Sequence, residues 1–164
     1  MSREQHVKRE CTALELLRTM PLLEALPDRL LAGLVPMAAV EHAEANRVLF
    51  KEGAICDRLF FVSDGIVALD MYVPRRDPTR ILTVGAGDVL AWSALLSDQR
   101  MTCTATVMED ATLVSIAAQP LRQLCEADHE IGFAFMQCMS FALSRRLLAT
   151  RLQLLDLFSE SQPV

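Results

Sequence analysis

The sequence predicts a mainly β domain with helices on both sides, because strand-like and helix-like patterns occupy separate parts of the chain. Residues 37–117 contain short apolar or alternating runs separated by Gly, Asp, Asn and Pro, which is typical of strands in a barrel or a sandwich. The residues before and after this stretch repeat apolar side chains at helical spacing. The chain has 164 residues, the usual length of one domain.

Helices are expected near the N-terminus, over 10–19 and 28–35. Leucines recur there at helical spacing. Pro27 lies near the start of the second helix, where the first turn tolerates a residue without an N–H.

Two further helices are expected after the β region. Pro120 suits the first turn of a short helix over 120–126. Asp128 is a candidate N-cap for a long helix from 129 to about 157, because its carboxylate can accept a hydrogen bond from the first turn.

Turn signals divide the β region into short strands. The sequence SDG at 63–65 is typical of a tight reversal between two strands, PRRDPTR at 74–80 of a polar hairpin tip, and KEGAICD at 51–57 of a glycine turn. Gly53 and Gly65 are expected to adopt positive φ, because glycine has no Cβ to oppose it.

Charge, hydropathy and cysteine usage exclude several classes of protein. The net charge is −5 and the acidic residues are dispersed, so a cationic face for nucleic acid is not expected. The apolar run at 30–40 contains Pro36 and is too short to cross a bilayer, and residues 1–10 do not resemble a signal peptide. The five cysteines are odd in number and lack metal-site spacing, which indicates a reducing cytoplasm.

Several segments resemble the cyclic nucleotide-binding domain of catabolite-activator (Crp/Fnr) regulators. They are PLLEALPDRLLAGL (21–34), NRVLFKEGAICDRLFFVSDGIVALDMY (46–72), GDVLAWSALL (87–96), and RQLCEADHEIGFAFMQ with LSRRLLATRLQLLDL (122–157). The resemblance implies a double-stranded β-helix (jelly-roll) barrel in a single domain over 1–164. N-terminal helices would occupy 1–36, the barrel 37–117 and C-terminal helices 118–164. Asn46 stands where the family usually has glycine, and asparagine also tolerates left-handed geometry.

Within this resemblance, residues 87–107 align with the phosphate-binding cassette. In the family, the N–H groups of a short helix receive the cyclic phosphate, an arginine pairs with it, and a glutamate accepts the ribose 2′-hydroxyl. Here the glutamate position falls on Trp92 and the preceding glycine on Ala91. The arginine position falls on Met101 or, in a second alignment, on Cys103. The candidate pocket residues are Leu90, Ala91, Trp92, Ser93, Ala94, Arg100, Met101, Thr102 and Cys103.

These replacements predict a pocket that does not bind cAMP or cGMP in the usual way. Each lost charge-assisted contact costs roughly 1.5–3 kcal/mol of binding free energy. Arg100 lies one residue before Met101, so strand alternation points it to the other face unless a bulge intervenes. Trp92 is interpreted as a core plug or lid, and the alternative is a stacking platform for another flat ligand.

The long C-terminal helix is expected to form a homodimer. Its first half is apolar on nearly every side, so it needs a second packing surface beyond the barrel. Its second half carries leucines spaced by four and three, as paired helices require, and Arg145 interrupts this stripe one turn earlier. The predicted dimer residues are Phe135, Cys138, Ala142, Leu148, Leu152 and Leu155.

The sequence therefore predicts a stand-alone, cytoplasmic regulatory or interaction module rather than an enzyme. We expect no cofactor, no metal site, no nucleic acid bound by this chain itself and no membrane contact; the expected partners are a second copy or another protein. The first alternative is a Crp/Fnr-type sensor of a cyclic nucleotide or another small effector. The second is a metal-dependent cupin-type barrel enzyme, against which the separated His6, His42 and His129 argue because they form no His-x-His pair.

Overall fold

The computed structural model describes residues 13–24, 26–75, 77–96 and 98–159. The helices are α1 over 13–18, α2 (Asp28–Leu34), α3 (Ala118–Ala127) and α4 (His129–Ser159). The strands are β1 (Ala38–Ala43), β2 (Val48–Phe50), β3 (Arg58–Met71), β4 (Thr79–Val84), β5 (Val89–Leu90) and β6 (Thr104–Ala117). Short 3-10 helices cover Pro21–Leu23, Val35–Met37 and Trp92–Leu95. The predicted mainly β architecture with flanking helices is confirmed.

A long antiparallel ribbon of β3 and β6 forms the centre of the sheet. Each strand has 14 residues, and the pairing runs from Arg58 opposite Ala117 to Asp70 opposite Thr104. One half of the ribbon is flanked by β1 and β5, and the other half by β2 and β4.

The two halves of the ribbon contribute to one core. Phe50 of β2, beside one half, stacks on Phe60 of β3, in the other half, with ring centroids 6.4 Å apart. Such a contact requires the ribbon to fold over, so that the two halves enclose the apolar side chains between them. This is the predicted jelly-roll arrangement.

The predicted strand reversal at 63–65 is wrong. β3 keeps β6 as its partner on both sides of Gly65, and the register shifts between Val62 and Val67 instead. Gly65 has φ +93, and a Cβ there would lie 2.6 Å from the Asp110 carbonyl oxygen. The glycine therefore marks a bulge at which a continuous strand bends, and no hairpin forms there.

The other turn predictions are confirmed. Gly53 adopts φ +75 and Asn46 adopts φ +70, the left-handed geometry expected of both. The polar segment between β3 and β4 joins antiparallel strands, as predicted for 74–80. Arg75 at this tip has φ +68, a geometry that ordinary side chains rarely adopt.

The predicted helices are found, with small differences in their ends. The helix expected over 10–19 is seen at 13–18, and residues 10–12 lie outside the described part of the chain. The helix expected over 120–126 is longer at both ends, spanning Ala118–Ala127. In the described part of the chain, no helix combines the length and hydropathy that a bilayer span requires.

Asp128 caps the long helix α4, as predicted. Its Oδ1 accepts a hydrogen bond from the backbone N–H of Ile131 at 3.1 Å, and its other oxygen pairs with Arg29. The backbone hydrogen bond is the main reason that the pKa of Asp128 is lowered, and the Arg29 guanidinium adds to the effect. The cap therefore fixes where α4 begins and ties it to α2.

One face of α4 is buried in the hydrophobic core, with its main contacts to α3 and the Pro21–Leu23 helix, and the opposite face is exposed. Phe135 is fully buried and Cys138 nearly so, and Ala142 packs against the same core. The prediction that Phe135 and Cys138 face a dimer partner is wrong, because both side chains are buried in the hydrophobic core of this chain. The exposed apolar side chains are Phe133, Met136, Phe141, Leu147, Leu148, Leu152 and Leu155.

Gly132 lets α4 approach α3 more closely than any other residue would allow. A Cβ at Gly132 would lie 2.6 Å from the Cys125 carbonyl oxygen, a backbone atom that cannot rotate away. The Gly132→Ala variant is therefore expected to lose about 1–3 kcal/mol of unfolding free energy through overpacking. Urea unfolding followed by circular dichroism measures this change.

The matched control is Gly33→Ala in α2. A Cβ at Gly33 would meet only the Leu124 side chain, at 3.4 Å. Alanine favours helix over glycine by up to about 1 kcal/mol, so this variant should be neutral or more stable. Equal losses in the two variants would contradict the close-approach explanation.

Candidate functional site

The predicted cassette begins with a strained backbone. Ala91 follows β5 and caps the 3-10 helix Trp92–Leu95 with φ 56 and ψ 30, in the left-handed region. A residue with a Cβ pays roughly 1–2 kcal/mol for this geometry. The geometry therefore accounts for the family's glycine at this position, and Ala91 must be held in it by its surroundings.

A cleft beside the cassette contains most of the predicted pocket residues. It is lined by Leu90, Ala91, Trp92, Ser93, Met101, Thr102 and Cys103, together with Phe50, Leu69 and Arg146. Ala94 is fully buried but does not line the cleft. The cavity that remains measures about 20 Å³, a volume that suits roughly one water molecule.

Trp92 and Met101 occupy the cleft to different depths. Met101 is 3% exposed and belongs to the core, whereas Trp92 is only half-buried. Trp92 therefore lies at the wall of the cleft and is not a plug buried deep in the barrel.

Arg100 does not line the cleft. Its guanidinium is exposed and donates a hydrogen bond to the Gly53 carbonyl oxygen at 2.9 Å. Its neighbour Met101 turns inward, as alternation along an extended chain requires. The bulge that would bring Arg100 to the inner face is not found, so the arginine predicted nearest to the phosphate position points elsewhere.

Two other arginines, which sequence reasoning did not single out, hold the cassette from the C-terminal helices. Arg122 of α3 donates a hydrogen bond to the Ala94 carbonyl oxygen at 2.7 Å. With its amide oxygen oriented toward Arg122, Gln99 accepts two more, at 2.8 and 3.1 Å. Arg146 of α4 donates to the carbonyl oxygen of Val89, three residues before the cassette helix, at 2.6 Å.

Arg146 is the cation among the residues that line the cleft. Its guanidinium is largely withdrawn from water, and this desolvation lowers its pKa, while the charge of Asp88 opposes the shift. The sequence did contain a signal for this residue. Arg146 lies four residues after Ala142 and seven after Met139, so helical periodicity places it on the buried face of α4.

The side chain of Cys103 also lines the cleft, and its thiol is held neutral. Burial raises its pKa, although the Arg146 charge acts in the opposite direction.

The described residues contain no group of three or more His, Cys, Asp or Glu side chains placed to hold a metal ion. His42 makes a 3.2 Å contact with the Thr112 hydroxyl on the outer part of the sheet.

Comparison with known protein families identifies this arrangement. A family model described as the cyclic nucleotide-binding domain matches residues 40–128, more than half of the chain. The chain belongs to the cyclic nucleotide-binding domain family. Domains of this family are regulatory, and the match includes the barrel, the cassette and α3.

Individual members of the family are similar to this cyclic nucleotide-binding domain over most of its length. A cyclic nucleotide-gated potassium channel of Mesorhizobium japonicum is 26% identical over 132 residues, which cover 80% of this chain but 34% of the channel. A cyclic nucleotide-binding domain of Methylobacillus flagellatus superposes with a TM-score of 0.77 at 16% identity, covering 96% of this chain and 86% of that one.

A third similar protein is the N-terminal domain of a transcriptional regulator from Streptomyces coelicolor. It is 25% identical, with a TM-score of 0.66, and covers 82% of this chain and 94% of that one. The domain thus shares its fold with modules that occur in longer proteins of different function.

The buried contact of Arg122 predicts a measurable contribution to stability. In Arg122→Leu the Ala94 carbonyl loses its partner in a part-buried position, which should cost about 1–3 kcal/mol of unfolding free energy. Arg100→Leu is the matched control, because it also removes an arginine–carbonyl bond, but an exposed one that water replaces. The control should change by less than about 0.5 kcal/mol. Chemical unfolding of both variants checks the difference, and equal losses would contradict it.

Proposed function

We propose that this cyclic nucleotide-binding domain is a regulatory interaction module that works without cAMP or cGMP held in the family's usual way. The observation that carries the proposal is the state of the cassette cleft. By the family resemblance, Trp92 falls at the glutamate position and Met101 or Cys103 at the arginine position, and the side chains around them leave about 20 Å³.

Space is the first argument for this proposal. Clefts that bind ligands of nucleotide size enclose roughly 300–1,000 Å³. A cavity of about 20 Å³ would have to grow more than tenfold, and the lining side chains Phe50, Leu69 and Met101 are packed in the core. Such an expansion costs buried contacts that the ligand must first replace.

Charge is the second argument. A buried phosphate needs a cation, and a ribose hydroxyl needs an acceptor. None of the described residues that line the cleft is a carboxylate, so the hydroxyl has no charged acceptor. Arg146 enters the cleft from α4 and is bonded to the Val89 carbonyl through one N–H group, so it does not replace the family's arginine, whose position falls on Met101 or Cys103.

The same lining supports a binding role over a catalytic one. The polar side chains that face the cleft are Ser93, Thr102, Cys103 and Arg146. General acid–base catalysis needs a group that titrates near neutral pH, and the pKa of Cys103 is raised by burial.

The cysteine usage of the chain supports a cytoplasmic location.

Isothermal titration of the wild-type protein with cAMP and cGMP tests the proposal. We expect dissociation constants weaker than roughly 1 mM, because both charge-assisted contacts are missing and the cavity is filled. A dissociation constant in the low micromolar range for either nucleotide would contradict the proposal. The channel relative, which is named for gating by cyclic nucleotides, supplies a positive control for the titration.

Variants of the cassette separate the steric from the chemical obstacle. Trp92→Glu with Met101→Arg restores the two charges but places a new arginine beside Arg146 in the same small cleft. Adding Arg146→Ser to this pair removes the repulsion and opens space. We expect nucleotide affinity to appear in the triple variant and not in the double one. Failure of both, with stability retained, would mean that the cassette alignment is wrong.

We further propose that the module is a homodimer that pairs through α4. The exposed apolar residues run from Phe133 to Leu155, about 33 Å along the helix at 1.5 Å per residue. Leu148, Leu152 and Leu155 are each more than half exposed and spaced by four and three, as paired helices require. Continuous apolar surfaces of this length are uncommon on monomers, and a second copy provides a complementary one.

Light scattering at micromolar concentration tests the dimer. The wild-type protein should have twice the mass of the chain, and Leu152→Glu should have the monomer mass because it buries a carboxylate in the apolar contact. Gln123→Glu on α3 introduces the same charge at an exposed position away from the stripe and should remain dimeric. A wild-type monomer that Leu152→Glu does not change would contradict the proposal.

A further inference from the structure

A second, larger cleft lies between β4 and α4, and we call it the α4 cleft. It is lined by Leu22, Leu82, Ala142, Arg145, Arg146 and Ala149, together with Thr83, Val84, Gly87 and Asp88. Its volume is about 190 Å³, several times that of the cassette cleft. Arg146 lines both clefts and so separates one from the other.

The charge balance of the α4 cleft is positive. Arg145 and Arg146 contribute two guanidinium groups, and Asp88 contributes one carboxylate whose Oδ2 accepts a hydrogen bond from the Gly85 N–H at 3.0 Å. Among the described residues, neither arginine has a carboxylate within 4 Å. Arg146 is largely withdrawn from water, and Asp88 acts on its charge from beyond 4 Å. An anion bound directly to the guanidinium would therefore stabilise it.

Most of the N–H groups of the Arg146 guanidinium make no hydrogen bond among the described contacts. Of the five N–H groups of its guanidinium, the described contacts use one, for the Val89 carbonyl. A planar guanidinium fork matches the two oxygens of a carboxylate or phosphate, and such charge-assisted bonds are stronger than bonds to a neutral carbonyl. Arg145, the next residue along the helix, lines the same cleft and is exposed.

The rest of the α4 cleft is suited to a short hydrocarbon chain. Leu22, Leu82, Ala142 and Ala149 give it an apolar wall. Its volume of about 190 Å³ is below the roughly 300–1,000 Å³ of clefts that bind larger ligands, so a small molecule such as an acid of about six carbons suits it better than a nucleotide does.

We propose that the α4 cleft binds a small aliphatic anion. Its carboxylate or phosphate group pairs with Arg145 and Arg146, and its chain lies against Leu22 and Leu82. Apart from Arg146, the residues that line this cleft differ from those of the cassette cleft, so the proposal does not depend on the proposed state of the cassette.

Titration calorimetry of the full chain at low salt tests this site with four probes. Hexanoate and hexyl phosphate carry the two head groups, hexanol is the neutral analogue, and inorganic phosphate lacks the chain. We expect hexanoate or hexyl phosphate to bind at least roughly tenfold more tightly than hexanol and than inorganic phosphate. The better of the two anions identifies the head group.

Variants locate the binding. Arg145→Gln should weaken the better anion roughly tenfold, and Arg151→Gln, a matched change at an exposed position outside the cleft, should leave its affinity unchanged. Ala149→Leu fills the cleft while keeping both arginines and should abolish binding. Because Ala149 is only half-buried, this variant should keep the wild-type Tm, which shows that the fold is retained.

Three results would overturn the proposal. They are equal binding of hexanoate and hexanol, the absence of binding by both anions, and an Arg145→Gln variant that behaves like Arg151→Gln. If Ala149→Leu lowers the Tm, the affinity of the Arg145→Gln variant alone tests the proposal. The Arg145 side chain is exposed, so replacing it does not disturb the core.

Discussion

The antiparallel pairing of β3 with β6 is the interaction on which the rest of the structure depends. Every other strand hydrogen-bonds to one of these two: β1 and β2 to β6, and β4 and β5 to β3. The ribbon bends at Gly65, where the strand partners approach too closely for any Cβ. That bend brings the two halves face to face and closes the core. It also positions the cassette, because β5 pairs with β3 just before Ala91.

The cassette is attached to the C-terminal helices through backbone carbonyls. Arg146 reaches the Val89 carbonyl from α4, and Arg122 reaches the Ala94 carbonyl from α3. Both contacts lie across elements that are distant in the sequence, and both flank the strained turn at Ala91. A displacement of either helix therefore acts on the cassette backbone directly, whatever side chains line the cleft. In the proposed module, pairing of α4 with a second copy would displace the cassette backbone through these arginine–carbonyl contacts.

Much of the fold could be predicted because it is encoded locally. The change from helical to alternating periodicity located the barrel. Gly53 and Asn46 act through their own backbone geometry, and Asp128 acts through a side-chain bond to Ile131, three residues on. The bend at Gly65 could not be predicted, because a hairpin and a bulge use the same turn residues and differ only in which strand the chain pairs with afterwards. Partner choice in a sheet is a long-range property that a stretch of three residues does not contain.

The site was predictable to the extent that it lies in one stretch of the chain. Residues around Trp92 and Met101 do line a common cleft, whereas Arg146 enters it from α4 and Arg122 contacts the cassette backbone from α3. For α4, an apolar pattern on nearly every side indicated two buried faces but could not say which one covers the barrel. Phe135 and Cys138 were therefore assigned to the wrong face. Only the contacts of α4 with the barrel resolve this.

The position of β6 in the chain has a consequence for synthesis. β6 ends at Ala117, yet it is the partner of β1, which is complete by Ala43. At about 5–20 residues per second, the ribosome needs several seconds to add the residues between them. During that interval the nascent chain has no partner for β1 or β2, and contacts so distant in sequence also form slowly. The period in which these strand edges are open to neighbouring chains is therefore set by topology rather than by composition.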